Sequence, residues 1–348
     1  MDKVRIGLIG LGFMGSTHFR IYHEMANAEI TALAEVDPAK RRGDISKVIG
    51  NIGNADNSVP LDLTGVKVYE SAYDLINDPN VDVVDICVPT EFHAPYILAA
   101  LAAGKHVHSE KPFCRTPEEA AAIRAAVSQS KSFFSVGLCV RCWPEYVYLN
   151  DEYKKGSFGK VLSATFRRLS PSIDGNNWEN WFMDGKRSGG ALLDMHTHDT
   201  DFICHLLGVP KAVTSIGRTV LSSNRGIDHV ITFYHYGDET VVEAEGSWAA
   251  PKTTPFEMTF QVICEKATIR LMAEGFKVYW TDGRVETPQV EATTGWHREL
   301  KYFVECVQNG VKPDHYQTID SVFQSFMVTQ AEQESIDNGA VRTDVKLA

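Results

Sequence analysis

No stretch of this chain approaches the roughly 18 consecutive apolar residues that a membrane-spanning helix needs. Nor is there a basic excess: 34 Lys and Arg stand against 45 Asp and Glu, a formal net charge of −11. Nucleic acids and anionic membranes are bound by surfaces that neutralise phosphates, so the acidic balance argues against either as the main partner. There is no disulfide framework. The seven cysteines are odd in number and scattered, as reduced thiols of a cytoplasmic protein would be. Cys139-Val-Arg-Cys142 has redox-motif spacing but lacks the second pair that a zinc site would require. Internal repeats and low-complexity tracts are also missing. The first apolar stretch, Val4–Ile9, is only strand-length and is interrupted by glycine, so it reads as a strand rather than a secretion signal, and a cytoplasmic location is expected.

What is present is an ordinary globular composition, 44% hydrophobic and 23% charged, over 348 residues. That length points to two domains. Through residue 137, apolar runs at 4–9, 29–36, 66–69, 81–88, 106–108 and 133–136 alternate with helical segments at 16–25, 38–48, 72–76, 92–103 and 117–130. Short buried strands separated by helices imply an α/β, doubly wound parallel sheet with both faces covered. The polar stretch 51–64 reads as a surface excursion. From 138 to 348 the pattern changes to an α+β domain. Successive strand-like segments at 161–168, 212–221, 228–236, 239–249, 257–264, 267–272 and 277–279 predict a large, mostly antiparallel open sheet, with a tight turn at Gly237-Asp238. Helices are expected at 145–154, 191–207, 296–308 and 319–338, the last of them packing back on the first domain.

Gly10-Leu-Gly12-Phe13-Met14-Gly15 follows the first strand and opens the first helix. The first glycine makes the tight turn, the second lets backbone approach a pyrophosphate, and the third allows close packing of helix on strand. The helix N-terminus adds free N–H groups and a partial positive charge. The arrangement is that of a Rossmann dinucleotide site. Asp37, at the end of the second strand, is placed to accept hydrogen bonds from the ribose hydroxyls and to repel a 2′-phosphate, which favours NAD. Arg41 and Arg42 are the counter-evidence, since arginine there accommodates that phosphate, so NADP stays possible.

Further on stand Cys87-Val-Pro89-Thr90-Glu-Phe-His93, then Gly104-Lys-His106-Val107-His108-Ser109-Glu110-Lys111-Pro112, and later Gly189-Gly190-Ala-Leu-Leu-Asp194-Met-His196-Thr-His198-Asp-Thr-Asp201. With the glycine motif, these resemble the Gfo/Idh/MocA oxidoreductases over essentially the whole chain. The resemblance implies that Gly10, Gly12, Phe13, Met14, Gly15, Asp37, Pro89, Thr90, His93, Glu110 and Lys111 lie on the cofactor side. It implies that Lys111, Asp194 and His198 are catalytic. His196 stands where many members carry glycine and marks a subfamily.

Such residues suit hydride transfer to or from a secondary hydroxyl of a sugar, cyclitol or related polyol. A lysine ammonium stabilises developing alkoxide charge, a histidine takes the hydroxyl proton near neutral pH, and a carboxylate orients the partner. At 100° per residue, Asp194, His198, Asp201 and His205 fall on one polar stripe of a helix, with Leu192, Ile203 and Leu207 opposite. His196 and His198 point about 160° apart on that helix, so they cannot share one ion as neighbouring ligands; Asp194 and His198 with a third residue are an alternative ligand set, but no metal site is expected. Arg141, Trp143, Arg168, Trp178, Trp181 and His297 are weaker candidates for a substrate surface. Two other functions use the same fold: a glycosidase or epimerase that recycles its cofactor through transient oxidation, and a non-catalytic dinucleotide-binding regulator. An open antiparallel sheet has a broad face to cover, so a homodimer or homotetramer is expected.

Overall fold

The computed structural model describes residues 2–50, 57–175, 177–237 and 239–347. The chain forms two compact units. The first comprises Met1–Leu138, Gly175–Trp181 and Trp296–Phe323, and the second comprises Cys139–Asp174, Phe182–Gly295 and Gln324–Ala348.

In the first unit the order is β1 (Val4–Ile9), α1 (Phe13–Glu24), β2 (Ala28–Ala34), β3 (Lys67–Tyr69), α2 (Ala72–Ile76), β4 (Val83–Ile86), α3 (His93–Ala102), β5 (His106–Ser109), α4 (Pro117–Gln129) and β6 (Phe134–Val136). The six strands are parallel and lie in the order β3-β2-β1-β4-β5-β6. The chain direction of winding reverses between β1 and β4, the switch point at which open α/β sheets gather ligands. This is the doubly wound Rossmann sheet expected from the alternation of strands and helices. Val4, Ile6, Ile21, Tyr22 and Val83 form one core cluster with Leu300, Phe303 and Val304. Each such side chain, taken fully from water, contributes about 1.5–3 kcal/mol.

One expected helix is missing. Residues 38–48 hold only a single 3-10 turn, Lys40–Arg42. Gly43 ends it at φ 85°, and a Cβ there would lie 2.3 Å from the Leu61 carbonyl oxygen. The backbone of Gly43 is instead paired with Leu61, whose N–H donates to the Gly43 carbonyl at 2.9 Å. Of the polar excursion expected at 51–64, residues 51–56 lie outside the described residues.

The second unit carries α5 (Pro144–Lys154), β7 (Val161–Pro171), the short α6 (Gly185–Ser188), α7 (Thr197–Leu207), β8 (Ala212–Arg218), β9 (His229–His235), β10 (Val241–Ala250), β11 (Glu257–Cys264), β12 (Ala267–Met272), β13 (Gly275–Trp280) and β14 (Val285–Glu286). Then come α8 (Gly295–Asn309), most of which belongs to the first unit, α9 (Ile319–Asp337) and β15 (Thr343–Asp344). The nine-stranded sheet runs β14-β13-β12-β11-β7-β10-β9-β8-β15. All neighbours pair antiparallel except β7 and β10, which are parallel. The large, mostly antiparallel sheet is therefore as expected. Asp238 of the expected tight turn lies outside the described residues, although β9 and β10 on either side of it do pair antiparallel.

The helix expected at 191–207 is not one regular helix. It opens with a π turn, Leu192–His196, and only then becomes α7. Such a turn inserts an extra residue into the helical register and is frequent at functional sites. Gly189 and Gly190 precede it at φ 80° and 73°, and a Cβ on Gly190 would lie 2.4 Å from the Ile227 backbone nitrogen.

Candidate active site

The glycine motif of the first unit is built as its residue types require. Gly10 sits at φ 92°, and a Cβ there would lie 2.4 Å from the Cys87 carbonyl oxygen. A Cβ on Gly15 would come within 2.0 Å of the Gly10 carbonyl oxygen. At Gly12 a Cβ would meet nothing within 4 Å, so backbone there borders open space. Gly12 is the N-cap of α1, and no side chain caps it. The N–H groups of the first turn, including those of Phe13 and Met14, have no intrahelical acceptor and are available to an anion. A buried orphan lies at the neighbouring strand end: the Thr90 hydroxyl is 1% exposed as a residue and has no hydrogen-bond partner. An uncapped helix terminus, an open glycine face and an orphan hydroxyl fit a dinucleotide.

The carboxylate tied to this loop is Glu35, two positions before Asp37. β2 ends at Ala34, and the buried Glu35 follows. Its Oε2 accepts the Leu11 N–H at 2.7 Å and its Oε1 accepts the Asp37 N–H at 3.0 Å. Asp37 turns back on its own loop and accepts the Ala39 N–H at 2.8 Å. The available signal was spacing: Glu35 stands 20 positions past Gly15, where ribose-binding acids fall. Arg41 is already engaged. It donates to the Glu35 and Val36 carbonyls at 3.0 and 3.2 Å and pairs with Glu70 at 3.3 Å.

His93 is buried, with Nδ1 and Nε2 each 2.7 Å from a carbonyl oxygen, of Pro112 and Val88 respectively. Burial holds its pKa below the usual imidazole value, so one ring N–H serves one carbonyl at a time. The ring braces the segments after β4 and β5, which carry Pro89, Thr90 and Lys111. Glu110 also turns inward. It is 6% exposed, its Oε2 accepts the Lys111 N–H at 3.0 Å, and its Oε1 lies 3.4 Å from His18 Nε2. Burial raises its pKa, but the His18 ring beside it more than offsets that and leaves it lowered. The resemblance implies that both lie on the cofactor side; both side chains are buried, His93 between two backbone carbonyls and Glu110 against His18 and the Lys111 N–H. Lys111 follows the C-terminal end of β5 and is partly exposed.

In the second unit, Asp194 lies in the π turn and His198 near the start of α7, and both are partly exposed. The polar stripe read from regular helix geometry is not what forms. Asp201 is 1% exposed; it accepts from Arg141 Nε at 2.7 Å and Nη2 at 2.6 Å, and from the Ser325 hydroxyl at 2.6 Å. Asp199 is likewise buried and accepts from Arg168 Nε and Nη2 at 2.8 and 3.0 Å. These two arginines, weaker candidates for a substrate surface, instead anchor α7 through buried ion pairs. His196 is fully buried, 3.3 Å from the Tyr234 hydroxyl and 3.8 Å from Glu332 Oε1. Burial, with the Arg168 charge, pushes its pKa down to about 3. It is a neutral core histidine fitted against Gly246, where a Cβ would lie 2.8 Å from its ring. Cys139 and Cys142 are buried free thiols.

Comparison with known proteins decides the family. The description "Oxidoreductase family, NAD-binding Rossmann fold" matches residues 4–138, and the GFO/IDH/MocA C-terminal domain matches residues 146–270. The chain belongs to the GFO/IDH/MocA oxidoreductase family. Among relatives of this GFO/IDH/MocA member, scyllo-inositol 2-dehydrogenase (NAD(+)) of Bacillus subtilis is 26% identical over 365 aligned positions, covering 99% of this chain and 98% of that protein. Levoglucosan dehydrogenase of Pseudarthrobacter phenanthrenivorans is 32% identical over 219 residues, a match that spans 62% of this chain and only 54% of that protein. The solved structure of a levoglucosan dehydrogenase with NADH and levoglucosan shares the fold at a TM-score of 0.84 and 23% identity, over 99% of this chain and all of the other. No helix among the described residues is long and apolar enough to cross a membrane.

Proposed function

We propose that the protein is an NAD-dependent dehydrogenase that reversibly oxidises a secondary hydroxyl of a sugar, cyclitol or related polyol. The observation that carries this reading is the Gly10–Gly12–Gly15 turn with its uncapped helix terminus and the orphan Thr90 hydroxyl beside it. Relatives named for inositol and levoglucosan dehydrogenation support the substrate class. Glu35 supplies the acid for the ribose hydroxyls, and with Arg41 spent on backbone carbonyls and Glu70, NAD is favoured over NADP.

Bound NAD supplies the hydride acceptor at its nicotinamide ring. The residues of this chain handle the proton and the charge. His198 takes the hydroxyl proton on a ring nitrogen in the forward direction and returns it in reverse. The Lys111 ammonium donates to the substrate oxygen as negative charge develops there. Asp194 orients its partners. Gly10, Gly12, Phe13, Met14 and Gly15 hold the pyrophosphate, Pro89 and Thr90 border the same strand ends, and His93 braces the segment that carries Lys111. The protein works in the cytoplasm as a homodimer or homotetramer.

A panel of polyols and sugars assayed with NAD and with NADP, read by nicotinamide absorbance, tests the proposal. Turnover is expected on at least one polyol, faster with NAD. His198→Ala is expected to lower kcat by about 10²–10⁴, the usual contribution of a positioned acid–base group. Lys111→Ala should lower kcat with NAD affinity unchanged, and a Lys111→Ala enzyme with near wild-type turnover would remove lysine from the mechanism. Consumption of a glycoside without net reduced cofactor would instead indicate the cofactor-recycling reaction.

A further inference from the structure

The first unit buries a group of ionisable side chains that the proposed reaction does not use. His18 comes from α1, Asp85 from β4, His108 from β5, Glu110 from the residue after β5 and Glu299 from α8, and none is more than 6% exposed. Polar atoms this deep in a protein are normally paired, because an unmet one costs the full desolvation of its group. Here both oxygens of Glu299 and the Nε2 of His18 have no hydrogen-bond partner. Those atoms converge: ligand atoms of His18, Glu110 and Glu299 all lie within 4.8 Å of one another. The Nε2 of His18 is 3.4 Å from Glu110 Oε1, close to the separation of two ligands that each sit about 2.0–2.2 Å from one ion.

The far side of the His18 ring is arranged as a metal-bound imidazole's would be. Its Nδ1 is 2.8 Å from Asp85 Oδ2, at zero exposure for both side chains. A ligating histidine almost always donates its other ring N–H to such a carboxylate, which fixes the tautomer and aims the free nitrogen at the ion. Charge points the same way. Glu110 and Glu299 are two carboxylates placed side by side away from water, an arrangement that strongly disfavours ionising both. The two positive charges of a divalent ion would offset those of both glutamates, leaving only the Asp85 charge behind His18.

We propose that His18 Nε2, Glu110 and Glu299 bind a single divalent transition-class ion inside the first unit, with Asp85 as the carboxylate behind His18. One imidazole and two carboxylates suit Zn²⁺ or Mn²⁺. The role is structural: the ion ties α1, the end of β5 and α8 together, and through Glu110, whose Oε2 accepts the Lys111 N–H, it fixes the backbone of the candidate catalytic lysine. It is separate from the imidazoles of the second unit. Neither metal-spaced cluster found among the described residues includes His196 or His198.

The test uses the intact protein. Elemental analysis after purification without added metal should find about one equivalent of a transition metal per chain. Dialysis against EDTA should lower the Tm, and added Zn²⁺ or Mn²⁺, but not Mg²⁺, should restore it. Asp85→Asn should weaken Zn²⁺ binding about 10–100-fold, as loss of such a backing carboxylate does. Glu299→Gln gives opposite signs for the two possibilities. If an ion is held, the amide loses it and the Tm falls. If none is held, the amide removes a costly buried carboxyl and the Tm stays or rises. A metal-free wild-type protein whose Tm ignores Zn²⁺ and Mn²⁺, or a Glu299→Gln variant more stable than wild type, overturns the proposal.

Discussion

Glu332 shows how one side chain can be set against its surroundings. It lies on α9, fully buried, and accepts from the Thr200 hydroxyl at 2.9 Å. Burial pushes its pKa from 4.5 up to about 8, although hydrogen bonds from Tyr234 and Thr200 oppose the shift. A carboxyl whose pKa is raised on folding contributes stability below its unfolded pKa and loses it as pH rises through the folded value. Stability linked to Glu332 is thus complete below about pH 4.5 and is lost between there and about pH 8. Glu332→Gln keeps an oxygen for Thr200 and cannot ionise. The Tm difference between variant and wild type should therefore grow in the variant's favour from pH 5 to 8 and level off above, as measured by calorimetry across that range. A constant difference would show that folding leaves the Glu332 pKa where it is in the unfolded chain. At this scale the glycines were legible in the sequence because each answers a local demand of the backbone. The choice between Glu35 and Asp37 was not. Which of the two bonds the glycine loop depends on where β2 stops and on which carboxylate then finds the Leu11 N–H, and that much is set by tertiary contact.

Regular helix geometry does not hold across the π turn at Leu192–His196, whose extra residue shifts Asp194 relative to His198, Asp201 and His205 in α7. Sequence pattern also cannot separate an acidic face turned to water from one turned to buried arginines, since both read as alternating polar positions. α7 is of the second kind, held by Arg168–Asp199 and Arg141–Asp201 pairs that are at most 4% exposed. Within the Rossmann unit the elements were more legible, because short apolar strands and amphipathic helices carry distinct periods. Asp85 in β4 and His108 in β5 are the exceptions, ionisable residues inside apolar strands, and the buried cluster around His18 could have been suspected from them. The α7 anchors give a stability prediction. Removing one partner of a buried pair leaves the other charge uncompensated, at a cost of about 3–5 kcal/mol. Arg168→Met should destabilise the protein by that much in urea unfolding. Burial already raises the Asp199 pKa against the pull of Arg168, so the lone carboxyl would be carried protonated. The double variant Arg168→Met, Asp199→Leu should recover much of the loss. A single variant as stable as wild type would mean that the pair does not anchor α7.

Strand order in the nine-stranded sheet was the least legible feature. The parallel pairing of β7 with β10 joins Ser163 to Val241 across 78 positions, and no local pattern encodes such a partner. That order sets the character of the sheet's outer face. Thr232, Ala244, Phe166 and Phe260 lie across β9, β10, β7 and β11 and are at most 1% exposed, so they line the inner face. The adjacent row, Ile216, Ile231, Glu245, Arg167 and Thr259, points the other way. With Phe233 and Val241 it mixes aliphatic and aromatic groups with the Arg167–Glu245 pair, and Ile216 is 54% exposed. A β-sheet face carrying apolar side chains in register is stable when covered, and a second copy of the same face, related by a two-fold axis, supplies a self-complementary cover. Interfaces of this kind bury about 800 Å² per partner. Light scattering on the purified protein is expected to give a homodimer or homotetramer. Ile216→Glu with Phe233→Glu places like charges opposite their own copies across the two-fold axis, and the mass should fall as the protein is diluted, while the first unit's NAD affinity holds. A wild-type protein that is monomeric at every concentration would leave this face exposed to water and the interface without support.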